Sequence, residues 1–280
     1  MANYTLSAFA DEYAADLDDQ LAMLREQRVG YLELRFLGEK NVADLTVEDA
    51  DEVKKKLDSA GIRLSAIGSP LGKINLADDF PAHMERAKRL FEVAGRLDAR
   101  NIRIFSFYLH QGKTAAECRE EVLDKLGQLL DAAKKSGVTL CHENEALIYG
   151  ESPDRCLDLL NAFSGELRAV FDMGNFVLDG HDPQNAYRLL APYIEYFHIK
   201  DALYEGAIVP PGMGNASIRE ILEEHREAST RDVFVTLEPH LETFDGLNQL
   251  VGKTFQNPYR FESKEIAFLT AMKQLKEILS

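Results

Sequence analysis

Eight short runs rich in β-branched and aromatic residues alternate with eight longer amphipathic runs along the whole chain. The strand-like runs fall at 4–9, 30–35, 62–67, 101–106, 138–143, 168–172, 195–199 and 233–238. The helical runs fall near 14–28, 46–60, 80–99, 114–136, 151–163, 182–191, 215–229 and 262–279. Strict strand–helix alternation means parallel pairing, because each return crossover needs a helix. Eight such units in 280 residues have the size of one (β/α)8 TIM barrel, so one barrel domain is expected over residues 1–280. An open, doubly wound sheet would carry a glycine-rich phosphate loop after its first strand. Here that strand is followed by Ala10-Asp11-Glu12-Tyr13. The helix limits carry their own signals: caps at Thr46, Thr114 and Ser152-Pro153, and closing glycines at Gly30, Gly61 and Gly137.

Composition excludes several classes. No apolar run approaches the ~20 residues of a membrane span, and the first residues, MANYTLSAFADEY, lack the basic and apolar regions of a secretory signal. Cys118, Cys141 and Cys156 are too few and too irregular for a disulfide framework or a zinc knuckle. Reduced thiols and a cytoplasmic setting follow. A net charge of −15 and a pI near 5.0 argue against a phosphate-backbone binder, and Lys54-Lys55-Lys56 reads as a solvated helix face. An acidic surface does not exclude a small anionic substrate, since a site can be locally positive. A homo-oligomer is compatible with this composition.

In a parallel barrel, function gathers where strands end. Four consecutive strands end in a charged or imidazole side chain after an apolar run: Glu143, Asp172, His198 and Glu238. Converging on one mouth, these groups would repel and shift one another unless a cation lay between them. Three carboxylates and one imidazole suit Mn²⁺, Mg²⁺, Co²⁺ or Zn²⁺; without thiolates, softer metals fit less well. One divalent ion, with Mn²⁺ foremost, is therefore the expected cofactor.

The runs HENE (142–145), FDMGN (171–175), FHIKD (197–201) and LEPHL (237–241), with the paired glycines of Pro211-Gly212-Met213-Gly214, resemble the xylose isomerase-like barrel superfamily. They are most similar to its sugar phosphate isomerase/epimerase branch, which includes the ketose 3-epimerases. The resemblance spans the chain. It implies that Glu143 and Glu238 bind the metal and move protons, and that Asp172 and His198 complete the ligand set. One position departs: the epimerases often carry a histidine three residues after the strand 6 aspartate, where this chain has Asn175.

Other candidates keep two readings each. Lys200 shares the inward face with His198. It could hold a substrate hydroxyl, carboxylate or phosphate, or stabilise an enolate, or it could pair with Asp201 or Glu238. Glu33 and Arg35 share one face at the end of strand 2 and could pair with each other or line the pocket. His240 could touch substrate or be a capped loop residue, and Asn175 could bind a substrate hydroxyl. His142 should face the helices, because it alternates with Glu143. Asn144 and Glu145 lie in the loop over the site, and either could support the metal ligands. Phe9, Phe105 and Phe107 could wall the pocket or fill the core, with core preferred for Phe105. His83, His110, His181 and His225 lack convergent partners in the sequence reading.

The expected activity is a metal-dependent sugar isomerase or epimerase that removes a proton beside a carbonyl through an enediolate held by the metal. The alternative is a lyase, such as a dehydratase of a keto-inositol or keto-sugar, which begins with the same abstraction. A three-zinc apurinic endonuclease would need histidines where this chain has Arg35, Gly68-Ser69, Ser106 and Asn175. A non-catalytic sugar binder would have no reason to gather four metal-type ligands. The expected partner is a small carbohydrate, with neither nucleic acid nor membrane.

Overall fold

The computed structural model describes residues 1–241 and 259–280. Eight barrel strands form one sheet: β1 (Tyr4–Ala8), β2 (Tyr31–Leu34), β3 (Arg63–Gly68), β4 (Asn101–Ile104), β5 (Thr139–Glu143), β6 (Arg168–Asp172), β7 (Ile194–Ile199) and β8 (Val233–Leu237). Their order is β1-β8-β7-β6-β5-β4-β3-β2, with every ladder parallel. Strands β1 and β2 lie against each other without a ladder, so the barrel is nearly closed. Side chains span this seam. Ser7 of β1 bonds Ser65 of β3 across the interior at 2.7 Å, and Arg35, just past β2, grips groups beyond both β1 and β8.

The helices cover the outside: α1 (Leu17–Glu26), α2 (Val47–Ala60), α3 (Phe80–Arg96), α4 (Ala115–Ser136), α5 (Pro153–Ala162), a short α6 (Met173–Leu178), α7 (Pro183–Leu190), α8 (Ile218–Ala228) and α9 (Lys264–Leu279). Thr46 and Thr114 each form a full capping box, and Gly61 and Gly137 close their helices at φ 68° and 71°, where a Cβ would be strained. The expected closing role of Gly30 is corrected: Arg28 takes the left-handed position after α1, at φ 55°. The hairpins pairing Phe36–Leu37 with Lys40–Asn41 and Asp201–Ala202 with Ile208–Val209, like α6, are too short to leave a periodic signal. Lys54 and Lys56 pair with Asp58 and Asp18 on exposed helix faces, as a solvated face requires.

Strand alternation sorts the chain into two cores. Outward-facing residues join the large cluster beneath the helices, while Ala66, Cys141, Val170 and Tyr196 form a small apolar plug inside the barrel. Cys141, Val170 and Tyr196 lie two residues before Glu143, Asp172 and His198. The plug therefore floors the mouth and lifts the polar ends above it. All three cysteines are buried and unpaired. No helix among the described residues is long and apolar enough to cross a membrane.

Candidate metal centre

Glu143, Asp172, His198 and Glu238, all buried, each offer a donor atom, and these atoms lie within 4.8 Å of one another. Donors around one ion at ~2.0–2.3 Å are up to about 4.5 Å apart, so small side-chain adjustments suffice for a common ion. The donor set is oxygen-rich with one imidazole, which fits a hard or borderline divalent cation.

Each of these four candidate ligands is oriented by a neighbour. Asp172 ends β6 and caps α6, accepting from Asn175 N at 2.9 Å. Asn144 clamps its backbone, donating to Asp172 O at 2.9 Å and accepting from Asp172 N at 3.0 Å. His198 Nδ1 faces Glu143 Oε1 at 2.8 Å and Glu238 Oε2 at 3.3 Å, while its Nε2 meets Glu33 Oε2 at 3.2 Å. Glu33 also accepts from the Tyr196 hydroxyl at 2.9 Å. A proton on Nε2, donated to Glu33, leaves Nδ1 as the metal-facing atom. Glu33 is fully buried, so it lies beneath His198 rather than on the cleft wall, and it does not pair with Arg35.

The outer oxygens of the two glutamates each take a guanidinium. Arg103 NH1 donates to Glu143 Oε2 and Arg35 NH1 to Glu238 Oε1, both at 2.9 Å. Burial works to raise the Glu143 carboxyl, but His198 and Arg103 outweigh it and hold it at about 2. For Glu238, burial is likewise overcome, by Lys200, His240 and His198, and its carboxyl is held well below the usual range. Asp172 moves the other way, to about 7, because burial, with Glu143 and Glu238 adding to it, exceeds the pull of Lys200. The three facing carboxylates overcome burial and raise His198.

Lys200 bonds Asp172 Oδ2 at 2.9 Å, Asn175 Oδ1 at 3.0 Å and Glu238 Oε2 at 3.3 Å. Of the two partners expected for it, Glu238 is present and Asp201 is not. The Asp201 carboxylate instead accepts from the backbone N–H groups of Ala202, Gly212, Gly214 and Ala216. A Cβ on Gly214 would sit 2.2 Å from Asp201 Oδ1, which gives the paired glycines their physical reason. His240 Nδ1 bonds Glu12 Oε1 at 2.7 Å, with its Nε2 3.5 Å from Glu238 Oε1. Glu12, Glu238 and His240 form a second group able to hold a cation.

Glu143, Asn175, Lys200, Glu238 and His240 open onto a cleft lined also by Arg35, Lys73, Arg103 and Phe105. Phe105 is buried, as expected of a core side chain, and also borders this cleft; Phe107 belongs to the outer core. His142 faces away from the mouth, its Nε2 2.9 Å from Ser106 Oγ. Glu145 pairs with Lys73 at 2.8 Å. Asp11, Glu12, Lys73 and Arg103 escaped the sequence reading. For Arg103 a signal existed: a charged residue inside the apolar run Ile102-Arg103-Ile104-Phe105, on the same face as Phe105.

A barrel with an acid–imidazole cluster at the C-terminal ends of β5 to β8 is the class this geometry defines. The chain belongs to the xylose isomerase-like TIM barrel family, which residues 23–256 match. No curated protein matches it by sequence. Solved structures similar to it include the IOLI protein with a binding zinc atom (17% identity, TM-score 0.76, 99% of this chain and 98% of that one). The probable 3-DHS dehydratase AsbF from Bacillus anthracis is also similar (18%, 0.73, 98% of each chain). So is the D-psicose 3-epimerase from Clostridium cellulolyticum H10, solved with D-tagatose (15%, 0.73, 98% of each chain). At these identities the likeness concerns the fold.

Proposed function

We propose that the protein is a divalent-metal-dependent isomerase or epimerase of a sugar or sugar derivative, with Glu143 and Glu238 as its proton-transfer groups. The observation that carries this reading is the convergence of Glu143, Asp172, His198 and Glu238 at the barrel mouth. Mn²⁺ fits the oxygen-rich donor set, and Mg²⁺, Co²⁺ and Zn²⁺ are the alternatives. A bound cation would supply Lewis-acid polarisation of a substrate carbonyl and its neighbouring hydroxyl.

The chain's own groups do the rest. Both glutamates are held ionised, so each rests as a proton acceptor. One takes the proton from the carbon beside the carbonyl. The other, on the opposite face, returns a proton to that carbon and inverts it, or to the former carbonyl carbon and isomerises the sugar. The Lys200 ammonium, fixed by Asp172, Asn175 and Glu238, donates to oxygen as negative charge develops. Asn175 and His240 line the cleft as hydroxyl partners.

One observation favours a lyase as the second reading. Asn175 is locked between Lys200 and the Asn144 carbonyl, and Lys200 could give a departing hydroxyl the proton with which it leaves as water, then recover a proton from Glu238, 3.3 Å away, where that glutamate has taken the one from carbon. The neighbouring AsbF is described as a probable dehydratase.

Incubating the Mn²⁺-loaded protein in deuterated water with ketoses, keto-inositols and oxidised glycosides tests both readings. Deuterium at a carbon beside a carbonyl is the expected result, with inversion or loss of water deciding between them. Absence of exchange across the panel, with metal bound, would overturn proton abstraction.

A further inference from the structure

Arg35 and Arg103 both reach the cleft, yet they are not equivalent. Arg35 spends its whole fork on protein carboxylates: Nε on Asp11 at 2.8 Å, NH2 on Glu12 at 3.2 Å and NH1 on Glu238 at 2.9 Å. Arg103 spends only NH1, on Glu143. It is buried, and its Nε has no hydrogen-bond partner among the described residues. A buried donor without a partner is costly and calls for an explanation.

The guanidinium is also within cation–π distance of two rings. Its Cζ lies 5.4 Å from the Phe9 ring centroid and 4.8 Å from that of Phe105. Arg35 stacks on Phe9 at 4.4 Å, and the Lys73 ammonium sits 4.4 Å from the Phe105 ring. Cation and ring thus alternate along one wall: Arg35, Phe9, Arg103, Phe105, Lys73. Arg35, Lys73, Arg103 and Lys200 line one cleft together with Glu143, Glu145, Asp179 and Glu238, and of these cations Arg103 keeps a buried donor without a partner among the described residues. The flat Nε–NH2 edge of an arginine fits a planar carboxylate through two parallel bonds.

We propose that Arg103 binds a carboxylate carried by the substrate, so that the substrate is a sugar acid or keto acid rather than a neutral sugar. The inference rests on the metal-dependent proton-transfer reading above and names its substrate class. Because Arg103 touches the outer oxygen of Glu143, the bound carboxylate lies within a carbon or two of the carbon that Glu143 serves.

The test uses three compounds that share one carbon chain from C2 onward and differ at C1: D-fructose, 2-keto-D-gluconate and D-fructose 1-phosphate. Mn²⁺ binding is measured first, then the affinity of each compound for the Mn²⁺-loaded protein by calorimetry. The acid should bind about ten- to hundredfold more tightly than fructose, the range of a charge-assisted pair. Arg103→Met should erase that margin, read as the ratio of acid to fructose affinity within the same variant, so that any general loss from freeing Glu143 cancels. Arg103→Lys, which keeps the charge and loses the fork, should retain part of the margin and serves if the methionine variant does not fold. A protein that fails to bind Mn²⁺ would sink the functional reading itself. With Mn²⁺ bound, equal affinity for acid and fructose would overturn the carboxylate assignment alone. So would a margin that survives both variants, which would reflect chelation at the metal. Stronger binding of the phosphate than of the acid would replace carboxylate with phosphate.

Discussion

Strands β5 to β8 bring Glu143, Asp172, His198 and Glu238 to one half of the mouth, whereas β1 to β4 bring Phe9, Arg35, Arg103 and Phe105 to the other. The acid half has donor atoms within 4.8 Å of one another, an arrangement that is unfavourable without cations. The other half stacks cations on aromatic rings. The halves are joined by Arg103 on Glu143 and Arg35 on Glu238. Each proton-transfer candidate therefore has one oxygen turned to the metal site and one held from across the mouth. Neither half is a finished site alone, and the substitutions below separate what each contributes.

The largest effect should come from the acid half. Glu143→Gln and Glu238→Gln keep an oxygen ligand but cannot accept a proton at neutral pH. Each should lower net turnover by about 10²–10⁴-fold at saturating metal, the usual contribution of a general acid or base. One of the two could still exchange a substrate hydrogen with solvent. Near wild-type rates in both, fully metallated, would move the base to Lys200 or His240.

Arg35 tests the junction. It compensates Asp11, Glu12 and Glu238 at the one seam without a backbone ladder. Arg35→Met leaves those buried carboxylates short of a cation, and breaking such a network costs about 3–5 kcal/mol. Urea unfolding should show a lower midpoint. An unchanged midpoint would mean that the seam is closed by packing alone.

Beneath the acid half, Glu33 is a positioning residue. Glu33→Gln keeps the shape but allows the amide to present its NH2 group to His198 Nε2, disturbing the tautomer that turns Nδ1 to the metal. Metal affinity should fall about 10–100-fold, as for other outer partners of metal-binding histidines, with the thermal midpoint of the metal-free protein little changed. His198→Ala should lower affinity further and leave the fold intact, since it removes a ligand at the functional end of the barrel.

The same division explains what could be read from the chain. The acid half was legible because each of its members closes an apolar strand, where period-2 alternation fixes the face. Glu143, Asp172, His198 and Glu238 fall where that rule places them. The cation half was largely illegible. Arg103 sits inside β4 rather than at its end, and Lys73 is on a loop whose path is set by tertiary contacts. Phe105 is buried as core and also borders the cleft, a double role that strand alternation does not distinguish. The partners of Arg35 lie 23 and 24 positions upstream and 203 downstream. No local pattern encodes such a meeting. The eight-unit alternation fixed the architecture well, while α6 and the hairpins, too short for periodicity, did not register.

The smallest effect concerns how the cation half is propped, and acid pH exposes it. His83 of α3 accepts a hydrogen bond from Gly72 N at 3.1 Å, a partner that the sequence reading did not give it. Gly72 lies so close to Phe105 that a Cβ would fall 2.0 Å from the Phe105 carbonyl oxygen, and its own φ is +84°. Phe105 N and Phe107 N bond Leu71 O and Gly72 O at 2.8 and 2.9 Å, so this loop sets where Lys73 meets the Phe105 ring. The bond needs a neutral His83 Nε2. Burial, helped by Arg86, pushes its pKa down to about 4 from the ordinary 6.5. The folded state therefore resists a proton that the unfolded chain accepts. The stabilising contribution is complete above pH 6.5 and declines as pH falls from there toward 4. His142, beneath the acid half, is likewise lowered to about 4 by burial and acts in the same window. In urea titrations of the metal-free protein from pH 7 to 4.5, His83→Gln should remove roughly one proton's worth of slope and leave the shares due to His142 and, with opposite sign, to Asp172, whose carboxyl is raised to about 7. The glutamine carbonyl can still accept from Gly72, so the loss at pH 7 should be small. A His83→Gln profile parallel to wild type through this window would mean that the Gly72 loop, and with it the Lys73–Phe105 stack, is held by something other than a neutral imidazole.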